Sequence, residues 1–303
     1  VSGSDIKESY TTLELERLGA KIYFSHSASN IKGADLVVYS SAIRDDNPEI
    51  KEAKARKIIL IKRAQALAQL MSNKTVIAVS GSHGKTTTTS LASCLLMEAG
   101  LSPTVAIGGI LKNIGDNTRF GSGDFFVAEA DESDASFLYY NPKYSIITNI
   151  DYEHLDYYGS FQELLEAFGE FIDKTRSNSG EVFCCADDAN LFALAKSRNT
   201  KITYFGLGRG LDIYADNLNL SAGFSEFDCF WHGDSLGRFM LSVPGKHNVS
   251  NSLSVIALGL TMGIDLKYIK SALSNYKGAS RRMDIKFKDD NFIVMDDYAH
   301  HHP

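Results

Sequence analysis

TVIAVSGSHGKTTTTS, residues 75–90, decides how the chain is read. Residues 75–80 are apolar and β-prone, which predicts a strand. A helix follows from about Lys85 to Ala99, with Gly100 at its C-terminal stop and Pro103 just beyond. The turn between them ends in Gly84-Lys85-Thr86, the last three residues of the G-x-x-x-x-G-K-[ST] phosphate-loop pattern. The first glycine of that pattern is replaced by Val79, a glycine stands at Gly81 instead, and His83 lies inside the loop. Strand before and helix after are what this loop's chemistry needs. Backbone N–H groups of a glycine-rich turn, joined to a helix N-terminus, bind phosphate oxygens. Gly81, Ser82, His83, Gly84, Lys85, Thr86 and Thr87 are therefore the candidate nucleotide-binding residues. Lys85 supplies a point charge and Thr86 offers a hydroxyl to a divalent ion. Threonine is a poor helix former, so the run Thr86–Thr89 suggests that some of these residues serve as ligands. Nothing in the sequence makes a histidine necessary at position 83.

Strands alternate with helices on both sides of this unit. KIYF (21–24), DLVVYS (35–40) and KIILI (57–61) read as strands, and TTLELERLGA and NPEIKEAKAR as amphipathic helices, a parallel α/β arrangement. Further strands are expected at 124–130, 144–150, 181–186 and 201–206. An antiparallel meander is expected over 211–243, with helices at 248–262 and 265–276. The chain of 303 residues carries a formal charge of -6, which disfavours a broad nucleic-acid surface. No apolar run reaches the roughly 20 residues that span a bilayer, and no signal peptide opens the sequence. With four cysteines and no C-x-x-C pair, the expected setting is a reducing cytoplasm. Both ends read as cut, so the sequence is expected to be part of a longer protein.

Four further clusters carry chemistry. DFFVAEADESD (124–134) ends an apolar strand in acids, and Glu129 at that end suits Mg²⁺. ITNIDYEHLDYYG (147–159) ends another strand and offers His154 as metal ligand or proton handler. VPGKHNVSN (243–251) opens a helix with His247, Asn248 and Asn251; the two asparagines, three apart, share a face and suit recognition of a base or ribose. SRRMD and DDYAHHHP supply Arg281, Arg282 and His300, and the arginine pair suits phosphate or carboxylate.

SGSHGKTTTT, EADESDASF, TNIDYEHLD, PGKHNVSN, GASRRMD and DDYAHH, in this order, resemble the Mur ligases of peptidoglycan synthesis. Among them, the six motifs resemble the alanine-adding branch, which joins L-alanine to UDP-N-acetylmuramate. VSGSD and VVYSSAI are similar to that family's UDP-binding domain. The resemblance implies an α/β protein of three parts: a Rossmann-like domain at 1–72 lacking its first strand, a P-loop ATPase domain with an added antiparallel meander at 73–280, and the opening of an amino-acid-docking domain at 281–303. It implies an ATP-dependent, amide-forming ligase using Mg²⁺ (or Mn²⁺) and acting as a monomer or weak homodimer. Lys85, His154, Arg282 and His300 would be catalytic, and Thr86, Glu129 and His154 would hold metal. His247, Asn248 and Asn251 would surround the nucleotide. Ser4, Asp5, Ser40, Ser41, Gly108, Gly109 and Arg281 would bind substrate. Sister ligases place a carbamylated lysine near what is here Phe168, and the DYAHH motif carries an extra histidine, His302, before Pro303. A recycling ligase that attaches an intact tripeptide to the same UDP-sugar, and a phosphate-loop kinase or switch, are the alternatives.

Overall fold

The protein was analysed as a computed structural model, which describes residues 1–281, 284–289 and 292–297. The chain divides into two compact units, Val1–Leu70 and a second that begins at Met71.

The first unit holds β1 (Ser2–Ser4), α1 (Tyr10–Arg17), β2 (Lys21–Tyr23), β3 (Leu36–Tyr39), α2 (Pro48–Ala55), β4 (Ile59–Lys62) and α3 (Arg63–Met71). Its strands form two separate parallel pairs, β1 with β2 and β3 with β4. Local chemistry sets the helix starts. Ser9 and Thr12 cap α1 reciprocally, and Asn47 accepts from the amides of Glu49 and Ile50 ahead of Pro48.

The second unit begins with β5 (Thr75–Ser80), α4 (Lys85–Glu98), β6 (Thr104–Leu111), β7 (Asp116–Arg119), β8 (Phe125–Glu129) and β9 (Tyr144–Ile147). It continues through α5 (Leu155–Tyr158), α6 (Phe161–Ser177), β10 (Glu181–Cys185), α7 (Ala189–Ser197), β11 (Thr203–Gly206), β12 (Ile213–Leu220), β13 (Ser225–Trp231) and β14 (Asp234–Leu241). Last come α8 (Lys246–Thr261), α9 (Leu266–Ser274), β15 (Asp284–Lys288) and β16 (Ile293–Asp296). One ten-stranded sheet runs β14-β13-β12-β11-β10-β9-β5-β8-β6-β7. From β12 to β6 every neighbouring pair is parallel; β7 at one edge and β13–β14 at the other are antiparallel. The α/β reading therefore holds. The antiparallel meander expected at 211–243 is present as β12–β14, and its first strand pairs with β11 and so extends the same sheet.

β5 is the central strand of the site, flanked by β8 and β9. Its Val79 is opposite Glu129 on one side and Ile146 on the other. Val76, Ile77, Ala78 and Val79 are all buried, the continuous apolar run of a strand covered on both faces. Val79 thus belongs to the strand, which explains why the loop's first glycine is not there.

α4 departs from the one-faced helix that Leu91, Cys94 and Leu95 suggest. Every residue from Thr88 to Leu96 is buried, because the helix lies on the sheet and is also packed by α8 and α9. No helix is expected at 161–177 from the sequence, yet α6 is regular: Ser160 caps it, and Leu164, Phe168, Phe171 and Thr175 bury one stripe. Phe168 is fully buried and meets Phe137 edge-on at 5.2 Å. That position is core, which accounts for an aromatic residue there. The four cysteines are unpaired and buried, and burial pushes the Cys94 and Cys229 thiols up to about 12. No helix among the described residues is long and apolar enough to cross a membrane.

Candidate active site

The loop, the acids and the His154 segment all follow the carboxyl ends of β5, β8 and β9. Parallel strands deliver their following loops to one edge of a sheet, the usual ligand-binding edge of α/β folds. Loop curvature comes from Gly81 (φ +129°) and Gly84 (φ +84°). A Cβ on Gly81 would lie 2.2 Å from Thr148 Oγ1, and one on Gly84 would lie 2.9 Å from Asn251 Oδ1. Glycine is needed at both points because neighbours occupy the space of a side chain. The Gly84 contact also brings Asn251, from the start of α8, against the loop.

Asn149 fastens the loop from β9. Its backbone oxygen accepts from Ser82 N (3.2 Å) and its Oδ1 from His83 N (2.8 Å), while Nδ2 donates to the His83 carbonyl (3.0 Å). Two loop amides expected to face a nucleotide are thus engaged within the protein. The amides left for an anion are those at the start of α4, where the helix has no preceding turn to accept them. Gly84 makes no side-chain cap there. His83 acquires a physical role here. Its Nε2 lies 3.2 Å from Asp151 Oδ2 and 3.6 Å from Glu153 Oε1, while its carbonyl also accepts from Thr148 Oγ1 at 2.5 Å. Backbone and side chain together stitch the loop to the segment after β9. The ligand atoms of His83, Asp151 and Glu153 lie within 4.8 Å of one another, close enough to share a cation.

Thr86 Oγ1 stands 3.1 and 3.2 Å from the two oxygens of Glu129, and Gly108 N donates to Glu129 Oε2 at 2.8 Å. A Cβ on Gly108 would lie 2.9 Å from that carboxylate, and one on Gly109 would lie 3.1 Å from Thr86 Cγ2. The two glycines expected to line a sugar are therefore packed against the Thr86–Glu129 pair. Two further threonines of the run serve the helix itself: Thr89 Oγ1 donates back to the Lys85 carbonyl at 2.8 Å and Thr88 is buried, whereas Thr87 is half-buried.

Lys85 Nζ reaches the Gly81 carbonyl (2.7 Å), the Ser82 carbonyl (3.4 Å) and Glu132 Oε1 (2.7 Å). The Glu132 side chain is 1% exposed. Burial pushes its carboxyl above the ordinary range, and the Lys85 charge opposes that rise. The sequence marks Glu132 only as one of four acids; its burial is what separates it from the others. His154 has φ +58°, a left-handed backbone at a non-glycine residue. Its Nε2 stands 3.8 Å from Glu132 Oε1 and 3.8 Å from Glu153 Oε2. Its acidic neighbours are these two residues, while Thr86 pairs with Glu129.

Of the helix-start residues, Asn248 is buried and its Nδ2 donates to the Pro244 carbonyl at 2.6 Å. His247 is exposed and its ring lies over Gly245. Arg281 is exposed, whereas Arg282 and His300, like His302 and Pro303, lie outside the described residues. In the first unit Ser4 Oγ donates to Glu49 Oε2 at 2.7 Å and lies 3.1 Å from His26 Nδ1. Glu49 Oε1 accepts from Asn30 Nδ2 at 2.7 Å. Asp5, Ser40 and Ser41 are exposed. Glu49 and His26 were not legible as site neighbours, because separations of 45 and 22 residues close only in the folded unit.

The Mur ligase middle domain family matches residues 79–259, and the Mur ligase family catalytic domain matches residues 1–75. The chain belongs to the Mur ligase family. Among relatives of this Mur ligase chain, the UDP-N-acetylmuramate--L-alanine ligase of Desulfotalea psychrophila is 46% identical over 302 residues, covering 99% of this chain and 66% of the relative. The enzyme of the same name from Aquifex aeolicus is 45% identical, again over 99% and 66%. The Mur ligase chain thus spans just under two thirds of the length of these relatives. A solved UDP-N-acetylmuramate-alanine ligase from Thermotoga maritima superposes with a TM-score of 0.87 at 35% identity, covering 99% of this chain and 69% of that one.

Proposed function

We propose that the intact protein joins L-alanine to the carboxylate of UDP-N-acetylmuramate in an ATP-dependent reaction that forms ADP and phosphate. The observation that carries this reading is the phosphate loop set beside the Thr86–Glu129 pair at one end of a parallel sheet. The names of the relatives aligned over nearly all of this chain support this choice of reaction. The first unit would take the UDP part of the substrate, near Ser4, Asp5, Ser40 and Ser41, and the second unit would take ATP.

A free carboxylate must be activated before an amine can displace its oxygen. The substrate carboxylate attacks the γ-phosphorus of ATP, the bond to the bridging oxygen breaks, and ADP leaves with that electron pair. The alanine amine then attacks the resulting acyl phosphate, loses a proton, and expels phosphate from the tetrahedral intermediate. In the first step two anions approach, so positioning and charge stabilisation dominate. Lys85 supplies positive charge and the α4 amides bind phosphate oxygens. A hydroxyl and a carboxylate whose oxygens stand 3.1–3.2 Å apart are hard donors that suit Mg²⁺ or Mn²⁺. When bound, the ion supplies neutralising charge at the phosphates. His154 is the proposed acceptor of the amine proton. His247, Asn248 and Asn251 are the proposed neighbours of the nucleotide, and Arg281, Arg282 and His300 those of the reacting phosphate and carboxylate.

A peptide-adding ligase is a second reading with structural support. The UDP-N-acetylmuramate:L-alanyl-gamma-D-glutamyl-meso-diaminopimelate ligase of Neisseria meningitides superposes with a TM-score of 0.84 at 26% identity, covering 93% of this chain and 91% of that one. ADP release by the intact protein, measured with each substrate withheld in turn, separates the readings. Release that needs both UDP-N-acetylmuramate and L-alanine is expected. Preference for the tripeptide over alanine supports the second reading, and release that needs neither substrate overturns both.

A further inference from the structure

We infer that Glu132 is the positioning residue of the loop lysine: it fixes where the Lys85 ammonium points and so which of its N–H groups is left for phosphate. The lysine stem is flexible and its ammonium is a compact charge with three donors. Those donors meet three acceptors: the Gly81 carbonyl and Glu132 Oε1 at 2.7 Å each, and the Ser82 carbonyl at 3.4 Å. Two contacts are short and one is long. A phosphate oxygen would replace the long one and leave the other two as a fixed brace.

Glu132 is itself held firmly. Its carbonyl accepts from the Tyr158 hydroxyl at 2.5 Å and from Ala135 N at 3.2 Å. The residue is fully buried, and its second carboxylate oxygen, Oε2, has no hydrogen-bond partner among the described residues. Such an arrangement is a poor way to gain stability. A buried ion pair seldom outweighs the cost of desolvating both charges, and an unpartnered buried oxygen adds to that cost. Its chemical consequence is local: a carboxylate with one good partner holds that partner strongly. Oε1 also faces His154 Nε2 at 3.8 Å, so the same oxygen lies beside the proposed acceptor of the amine proton. Glu129 already engages Thr86 and Gly108, so the two acids divide the work, one facing the threonine hydroxyl and the other the lysine.

The inference predicts opposite effects on binding and on turnover. Glu132→Gln keeps the side chain's shape but removes the charge that braces Lys85 and that would repel a nearby phosphate. ATP binding should stay equal or tighten, while kcat falls by about 100-fold, the scale expected when a reacting group is displaced by roughly an ångström. Glu132→Asp, charged but one methylene shorter, should recover part of kcat. A purely structural role would weaken ATP binding, kcat and thermal stability together, and that outcome overturns the proposal. The kinetic arm rests on the phosphate-transfer reading above, so a second arm is independent of it. In the nucleotide-free intact protein, the acylation rate of the Lys85 amine is followed by mass spectrometry against the other lysines. Slow labelling is expected in the wild type. Labelling several times faster is expected in Glu132→Gln, with a smaller rise in Tyr158→Phe, which loses only the hydroxyl that holds the Glu132 carbonyl. Equal rates in all three proteins overturn the proposal whatever the reaction proves to be. Should Glu132→Gln fail to fold, the Tyr158→Phe comparison decides the matter alone.

Discussion

The two units are written in the same alternation of strand and helix, but they bury very different amounts of it. In the first, β3 carries Leu36 and Val38 at 43% and 47% exposure, and Ile59 on β4 is 64% exposed. Its buried apolar residues are Ile31, Ile50, Ala53 and Ala64. In the second, β5, β8, β9 and β10 are buried along most of their lengths, and α4 and α8 are covered nearly all round. The difference teaches that the strand pattern records which residues can pair, while the stability of the pairing depends on what covers each face. Apolar burial is the main favourable contribution to folding. The phosphate loop lies on the unit whose faces are covered.

The sharpest way to break this comparison is to open the second unit's core. Phe171 is fully buried and packs 5.0 Å from Phe137. Phe171→Ala should lower unfolding free energy by about 3–5 kcal/mol, measured by denaturant titration. A loss below 1 kcal/mol would show that the core is looser than its burial indicates. Next in size is the buried charge pair. Lys85→Met leaves Glu132 without its partner and should cost about 3 kcal/mol or more. The double variant Lys85→Met/Glu132→Gln should be more stable than Lys85→Met alone, since the stranded charge is then gone. If the two losses merely add, the ion pair is not coupled. The smallest effect is expected in the first unit. Val38→Thr keeps the β-branched shape on a half-exposed strand and should change stability by no more than about 0.5 kcal/mol. A larger loss would mean that the exposed face of β3 is covered in solution.

Much of the site was readable because its chemistry is local. A strand, a Gly-Lys-Thr turn and a helix in succession specify an anion site without reference to any distant residue, and Glu129 at the end of an apolar strand is equally plain. His154 stood out for the same reason. Residues whose roles depend on folding were harder. Glu132 looks like the acids around it until the chain buries it under Tyr158. Asn149 was visible at a strand end, but its double hold on Ser82 and His83 joins segments 66 residues apart. The resemblance assigns Gly108 and Gly109 to a sugar; their close approach to Glu129 and Thr86 is added only by the pairing of β6 with β8. The α6 helix carries its own local signals, Ser160 at its start and the spacing of Leu164, Phe168 and Phe171, although its burial is set by packing against Phe137.

By itself, then, the sequence determined the α/β class, most of the parallel strands and the phosphate loop, since periodicity and turn chemistry act over a few residues, but it left β6 and β7 unread. Tertiary structure decided the rest. It placed β5 between β8 and β9, which brings three loops to one edge. It drew the meander into the main sheet. It also turned His83 from an unexplained residue into a stitch between loops, and Glu132 from one acid among four into the buried partner of Lys85. Burial and long-range proximity arise only when distant segments pack together, and they decide what a charge or a hydroxyl can do.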